Sequence, residues 1–531
     1  MLNETTLTSV INVEQLFTLG SQFSKTLTIF LVSVWAIKKI SWFNHPFQYD
    51  PGSPPFVPYI IPFIGSGFSI NSDIVNFATY WCNYFKSNII SVYCAGKCMI
   101  FVTDPVASAL IVNGRIPELT WGENKVRILK NGLKIREEPA RAITYKINDH
   151  HVFEKHLIQR DHLNDLILRL QQGLKRNIKK ELNHDDSWHS STILNFFGKN
   201  IFISNTEVVF GSSSLASEEN YKLALDFDQS FYDFIRIDSL DKQKKYKMGF
   251  DARNKLIERI RGITNVGEKL SAMCTELQQG TDGALTNDDE AHYLFGLHWA
   301  SYTNAVPSLF WLVYNLLIYK TAYNAVKEEI LSIYKEKLEA NKTEMKNESD
   351  IYFTLSDIDR MKNLDSILME TFRLSITQKS FRFRSASKDF KITLPINNKT
   401  MQFDVKKGTI FLMGVTTTHR DETIFKDALT FKWDRFLPST DGNYPKFTKN
   451  GCRIHRPVNP FGGGPSICPG RRFAIVELKA FIATLLLNHD VRFKDDIIPP
   501  TPRHIITKTP QSSGFPASDV QIEIRKSSND I

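Results

Sequence analysis

The residues best placed to do chemistry lie near the C-terminus, in Asn459-Pro460-Phe461-Gly462-Gly463-Gly464-Pro465-Ser466-Ile467-Cys468-Pro469-Gly470-Arg471-Arg472. One cysteine follows a run of glycines, whose backbone can pass close to something flat. The amphipathic stretch that comes after it, Phe473 to Ile482, reads as a helix. Backbone N–H groups of such a loop and of the helix start stabilise a sulfur's negative charge, so the thiol can be presented to a metal as a thiolate and can tune an iron bound to it. The alternative for a lone cysteine beside a glycine-rich turn is simple burial. The long, constrained pattern Phe461, Gly464, Cys468, Gly470 argues for the ligand.

This loop resembles the cysteine loop of the cytochrome P450 family, enzymes in which a thiolate holds haem. The resemblance implies haem b as cofactor and Cys468 as its axial iron ligand. It further implies Phe461 packed against sulfur and porphyrin, with Gly462, Gly464 and Gly470 shaping the loop around the cofactor. Ser466 is a departure, because many family members carry Arg or His there to grip a haem propionate. The propionate must then find its cation elsewhere.

An apolar stretch from Leu294 to Ile318 is long enough to be mistaken for a membrane span. His298, Asn304 and Pro307 inside it argue instead for a helix through the core of a large domain. Pro307 removes the N–H that would bond the Thr303 carbonyl, so the helix is expected to kink or open beside Thr303 and Asn304. In the family this helix passes over the haem, with a small-residue pair and then an acid–alcohol pair that relays protons. Ala300-Ser301 matches the small pair, and Thr303-Asn304 stands where acid and alcohol normally do, so the resemblance assigns the catalytic places to Thr303 and Asn304. Trp-Ala-Ser, then Asn, then Pro is similar to the group holding sterol 7α-hydroxylases and prostacyclin synthase. An amide can hold a water by hydrogen bonds but cannot give up a proton as a carboxylic acid does.

Asp357 to Leu374 is amphipathic, with Glu370 and Arg373 one turn apart, a spacing usually met on solvated faces. In the family a Glu-x-x-Arg helix and a later Arg-Phe form a buried charge cluster that locks the cysteine loop, and Glu370, Arg373 and Arg435 occupy those places. Phe381-Arg382-Phe383-Arg384 corresponds to a strand carrying a propionate-binding arginine; Arg384 is the expected one, with a plain surface cation as the alternative. The early-helix Trp and Arg that usually bind propionates are missing. Trp121 has Lys125 at that spacing, and Asn148, His150 and His151 are the substitutes on offer.

The remaining elements position these groups. Ile89–Tyr93 and Met99–Thr103 read as a hairpin closed by Asp104-Pro105, which makes Cys94 and Cys98 strand residues. Glu154 to Leu182 and Val326 to Leu338 read as helices, and Glu336 to Asp350 as a charged surface loop. Phe390–Leu394, Met401–Val405 and Thr409–Leu412 read as strands, turning at Asn397-Asn398. The resemblance, from about Pro51 onwards, implies a mainly α fold: a single large haem-thiolate domain with small β-sheets.

Composition sets the outer bounds. Six scattered cysteines in 531 residues do not make a disulfide framework, which points to a reducing compartment. A net charge of +9 favours acidic proteins or anionic membrane as docking partners, with no nucleic-acid motif in view. Leu16 to Ile37 is apolar but interrupted, able either to span a bilayer or to lie in its interface, and Lys38-Lys39 mark a cytosolic side. Pro46, Pro51, Pro54, Pro55, Pro58 and Pro62 make a stiff extended connector, or else an ordinary loop of the globule. The organisation expected is an N-terminal membrane anchor over 1–40, a proline-rich hinge over 41–65 and the catalytic domain over 66–531, facing the cytosol at the endoplasmic reticulum membrane.

The resemblance then implies a monooxygenase that inserts one oxygen atom of O2 into a lipophilic, sterol-like substrate. Electrons would come from an NADPH-cytochrome reductase docked on the cysteine side, where Arg453, Arg456, Arg471, Arg472 and Lys479 form either a basic patch or an ordinary solvated face. Asn304 keeps open an endoperoxide or hydroperoxide isomerase that needs no reductase. A non-catalytic haem or lipid carrier is the reading from another class.

Overall fold

The computed structural model describes residues 24, 26–36, 52–59, 61, 63–182, 187–211, 214–236, 246–263, 266–341, 351–375, 381–504 and 514–527. Lys38-Lys39, Pro46, Pro51 and Pro62, and positions 342–350 of the charged insertion, lie outside these residues.

Nine helices carry the argument. They are α1 (Asp149–Leu157), α2 (Arg160–Glu181), α3 (Lys199–Phe210), α4 (Glu218–Arg236), α5 (Lys247–Arg261), α6 (Asn287–Tyr302), α7 (Ala305–Ile318), α8 (Lys362–Ser375) and α9 (Arg471–Asn488). The stretch expected as one helix over Glu154–Leu182 is two, α1 and α2, divided at Ile158-Gln159. Pro307 acts as expected: α6 ends at Tyr302 and α7 begins at Ala305, leaving Thr303 and Asn304 in a turn. Thr286 and Asp289 close a capping box that fixes where α6 starts. Helix α7 is apolar nearly all round, and its side chains from Ala305 to Tyr314 are buried in the main core with α9 and α8.

Beside the helices lies a five-stranded sheet built from β1 (Ile89–Cys94), β2 (Lys97–Val102), β3 (Leu119–Thr120), β4 (Phe381–Ala386) and β5 (Ile410–Gly414). Ala95 and Gly96, both at positive φ, make the β1–β2 turn, and the register sets Tyr93 opposite Cys98. Strand β5 runs parallel to β2, with Met99 opposite Ile410, and antiparallel to β4, with Arg384 opposite Phe411. A separate hairpin pairs Phe390–Ile396 with Lys399–Val405 through Asn397 and Asn398, again both at positive φ. The proline-rich segment reaches this framework at Phe56, which bridges Ser91 of β1.

Positions 26–36 are helical, and Leu27, Ile29, Phe30, Leu31, Val32 and Trp35 are exposed on them. Among the described residues no helix is long and apolar enough to cross a membrane. Of the expected span over Leu16–Ile37, residues 24 and 26–36 are described and are helical; the rest of it lies outside the described residues.

Candidate functional site

Between α6, the turn at 303–304, strand β4 and the cysteine loop lies a cavity of about 870 Å3. Cys468 is the cysteine that lines it. Its loop is held by backbone geometry: the Cys468 N–H donates to Phe461 O at 2.8 Å, and Arg471 Nη1 donates to Cys468 O at 3.0 Å. Gly462 and Gly464 sit at φ +72° and +58°, and a Cβ on Gly464 would fall 2.5 Å from the Asn113 backbone carbonyl carbon. Only glycine allows the loop to press this close to its support. Burial pushes the Cys468 thiol up, while the Gly470 N–H and the Arg471 and Arg382 charges pull it back, so the loop supplies what would stabilise a thiolate. Phe461 lines the cavity and meets Phe372 edge to face at 5.6 Å.

The loop rests on a buried charge cluster. Glu370 accepts from Arg373 Nε at 2.7 Å and Nη2 at 2.8 Å, from Arg435 Nε at 3.1 Å, and from the Lys432 N–H at 2.9 Å. Arg373 also donates to the carbonyls of His419 and Ala428, and His419 Nε2 in turn accepts from the Asn459 N–H at 3.0 Å, where the cysteine segment begins. The expectation for Glu370, Arg373 and Arg435 is met in full.

Two arginines on alternate positions of β4, Arg382 and Arg384, line the cavity. Burial brings both down to about 10, and the charge of Arg382 weighs further on Arg384. The bonds made by Arg384 go to neutral oxygens, Phe383 O at 2.9 Å, Val112 O at 3.0 Å and Ser466 Oγ at 2.6 Å; Arg382 donates to Pro460 O at 2.8 Å. Two neighbouring guanidiniums thus face one cavity, a place where a dicarboxylate such as haem would meet matching positive charge. Ser466, where the loop carries no cation, accepts its bond from Arg384, a cation on the strand. Strand periodicity was the signal that pairs Arg382 with Arg384, because alternate residues share a face.

The other sequence candidates separate. Trp121 and His150 line the cavity. Lys125 pairs with Asp149 at 2.5 Å, Asn148 caps α1 through the His151 N–H, and His151 is exposed. Ala300, Ser301 and Asn304 line the cavity. Thr303 does not join them: it is 4% exposed and its hydroxyl donates to Asp228 of α4, on the other side of the turn. Trp299 Nε1 also donates to Asp228, at 2.9 Å, and burial raises this carboxyl to about 6. The freed Ser301 carbonyl accepts from Asn205 Nδ2 at 2.9 Å. Nothing local in the sequence marks Asp228 or Asn205.

Glu477 of α9 also lines the cavity, wholly buried; burial pushes its carboxyl well above the usual carboxylate range, and its Oε2 has no hydrogen-bond partner among the described residues. Lys479 leaves the proposed basic patch, because it is buried against Asp365 at 2.7 Å. Arg471 pairs with Glu154 and Arg472 with Asp359, and Arg453 and Arg456 are exposed.

A helical domain that turns a cysteine loop, two arginines of one strand and an opened helix onto one largely apolar cavity has the architecture and the donor set of a haem-thiolate enzyme. The family model described as Cytochrome P450 matches residues 54–515, and the chain belongs to that family. It is a cytochrome P450 monooxygenase, and the cofactor of the family is haem held by a cysteine thiolate. Relatives span nearly the whole chain. Cytochrome P450 7A1 of Sus scrofa is 25% identical over 451 residues, 83% of this chain and 87% of the relative. The 5-beta-cholestane-3-alpha,7-alpha-diol 12-alpha-hydroxylase of Sus scrofa is 25% identical over 502 residues, 90% and 93%. Cholesterol 7-alpha-monooxygenase of Cricetulus griseus is 25% identical over 448 residues, 82% and 86%.

Proposed function

We propose that this chain inserts one oxygen atom of O2 into a C–H bond of a sterol-like substrate, releasing the other atom as water, with two electrons supplied by an NADPH-cytochrome reductase. The observation that carries it is the placement of Cys468 and Asn304 on the same largely apolar cavity, joined to relatives named as sterol hydroxylases. Haem, when bound, supplies the oxygen-activating chemistry, and thiolate donation favours O–O cleavage.

The protein's own residues divide the remaining work. Cys468 is the iron ligand; Phe461, Gly462, Gly464 and Gly470 give its loop the shape to approach a flat ring. Arg384, with Arg382 beside it, holds the propionates by charge-assisted hydrogen bonds. Asn304 holds water at the opening between α6 and α7, where Pro307 leaves the Thr303 carbonyl without its helical N–H partner. Thr303 acts from behind, fixing the turn through Asp228. Leu129, Leu133 and Leu297 exclude water around the substrate.

The reductase docks on the cysteine side, near the exposed Arg453 and Arg456. The segment 1–40 anchors the enzyme in the endoplasmic reticulum membrane, 41–65 is the hinge and 66–531 the cytosolic catalytic domain; the exposed apolar helix at 26–36 supports this reading.

The test is turnover of sterols by purified full-length protein with reductase, NADPH and isotopically labelled O2. Label in the product, and none without NADPH, is expected. Product formed from an endoperoxide without reductant would move the assignment to an isomerase, and haem uptake without any product would leave a carrier.

A further inference from the structure

Helix α6 turns Tyr293, Gly296, Leu297, Ala300 and Ser301 to the cavity, the three- and four-residue spacing of a single helix face. Gly296 is out of keeping with that face. In a helix interior glycine is disfavoured against alanine, so its presence calls for a close approach by something else. The neighbour is Leu133. A Cβ on Gly296 would lie 2.3 Å from Leu133 Cδ1 and 3.4 Å from its Cδ2 and Cγ. Leu133 is itself buried and lines the cavity.

A leucine tip could swing away if its backbone were loose, but this backbone is fastened. His292 Nδ1 lies 2.9 Å from Leu133 O, which ties the residue to α6 directly. The buried Arg253 of α5 donates to Asn131 O at 3.2 Å and to Gly132 O at 3.1 Å. Arg136 donates to Asp289 of α6, Nε at 3.1 Å and Nη2 at 2.6 Å. The Leu133 N–H closes a wide turn on Ile128 O, and Lys134 beyond it sits at φ +66°. With the chain held on both sides of it, the side chain yields by rotating rather than by carrying its backbone along, and the space it borders is the cavity.

We propose that Leu133, seated in the notch left by Gly296, is a specificity-determining stop: it sets how far an apolar substrate can extend along α6. The inference rests on the monooxygenase reading and deepens it. Leu129 and Leu297 line the same cavity, and the surface that Leu133 itself offers is hydrocarbon, so the part of the substrate that abuts the stop is matched best by hydrocarbon. The class of ligand is therefore one that offers a polar group elsewhere and a bare hydrocarbon end to this wall.

The test uses N-alkylimidazoles of increasing chain length as a ruler, titrated into the resting holoenzyme and read from the Soret shift, with no reductant and no turnover. In the wild type, affinity should rise with chain length to a limit and then fall. Gly296→Ala should shorten that limit by driving Leu133 inward, with about tenfold or greater weakening for the longest chain the wild type accepts. Leu133→Ala should lengthen the limit. The double variant should return to the wild-type limit or exceed it, since the added methyl then fills space the leucine has left. An unchanged limit in all variants, or fold-changes that simply multiply in the double variant, would overturn the proposal. If Gly296→Ala takes up no haem, Leu133→Val and Leu133→Ala should still give graded limits, and the same limit in both sinks it. Turnover does not enter, so failure of the monooxygenase reading is seen separately; a wild type that gives no imidazole-induced shift overturns both.

Discussion

The two walls of the cavity are held by opposite means. The cysteine wall rests on compensated charge, with Glu370 saturated by Arg373, Arg435 and the Lys432 N–H, and Arg373 carrying the load onward to His419 and Ala428. The helix wall rests on neutral hydrogen bonds around one uncompensated carboxyl: Asn205 to Ser301 O, and Trp299 and Thr303 to Asp228. A wall that must keep sulfur at a fixed distance from a metal benefits from interactions that fail only at high cost. One that must open a helix and admit water is built from weaker, separable bonds. If this contrast is right, substitutions on the first wall should cost much and act together, and those on the second should cost less and depend on pH.

The largest effect is expected at Cys468. Cys468→Ala should abolish turnover and the thiolate-type carbon-monoxide difference spectrum while leaving the fold intact, checked by near-ultraviolet circular dichroism. A retained thiolate spectrum would remove Cys468 from the iron and with it the contrast between the walls.

Next comes the cluster beneath the loop. Glu370→Gln leaves two buried guanidiniums facing an amide, and about 3–5 kcal/mol of stability should be lost. Urea midpoints of wild type and variant measure it, and haem retention should fall in parallel. Loss of less than about 1 kcal/mol would show the cluster to be no stronger than a surface pair.

How much of each wall can be read from sequence follows from the same difference. Phe461 to Gly470 is contiguous, and Glu370, Arg373 and Arg435, whose spacing alone would suit a solvated face, fall in the places that the resemblance gives to a buried cluster, so most of the cysteine wall is legible once that loop is recognised. Pro307 makes the opening of the helix legible too, because a missing N–H acts locally. Which of Thr303 and Asn304 turns to the cavity is not a local property: α4 decides it by bringing Asp228 against Thr303. The bond from Arg384 to Ser466 likewise joins segments whose partnership no periodicity announces. Lys479 misleads because α9 is buried almost all round, so a lysine on it is no sign of a solvated face. The break at Ile158-Gln159 carries no glycine or proline to announce it.

Asp228 gives the third test. Burial holds its carboxyl protonated up to about pH 6 in the folded protein, whereas in the unfolded chain an aspartate ionises near ~4. Between those values the folded state binds the extra proton, so stability falls as pH rises from about 4 to 6 and the full cost, about 3 kcal/mol, stands above 6. Asp228→Asn is neutral in both states and should lack this slope. The wild-type Tm relative to the variant should therefore drop across that window and be flat on either side. A difference that does not change with pH would mean that the Asp228 charge is compensated after all, and the two walls would be alike.

The smallest effect separates a buried bond from a cavity-side one. Asn205 donates to Ser301 O, and Ser301 lines the cavity, so the carbonyl orphaned by Asn205→Ala lies within reach of cavity water. Losing a side-chain hydrogen bond whose acceptor water can rescue should cost about 1 kcal/mol, below the penalty for an acceptor sealed from solvent. Thermal unfolding of wild type and variant measures this, and a bulky apolar ligand titrated into both supplies the discriminating half. By displacing the rescuing water, it should widen the gap between the two proteins. A gap that ligand leaves unchanged would place the Ser301 carbonyl in the dry core, and the helix wall would then be as sealed as the cysteine wall opposite it.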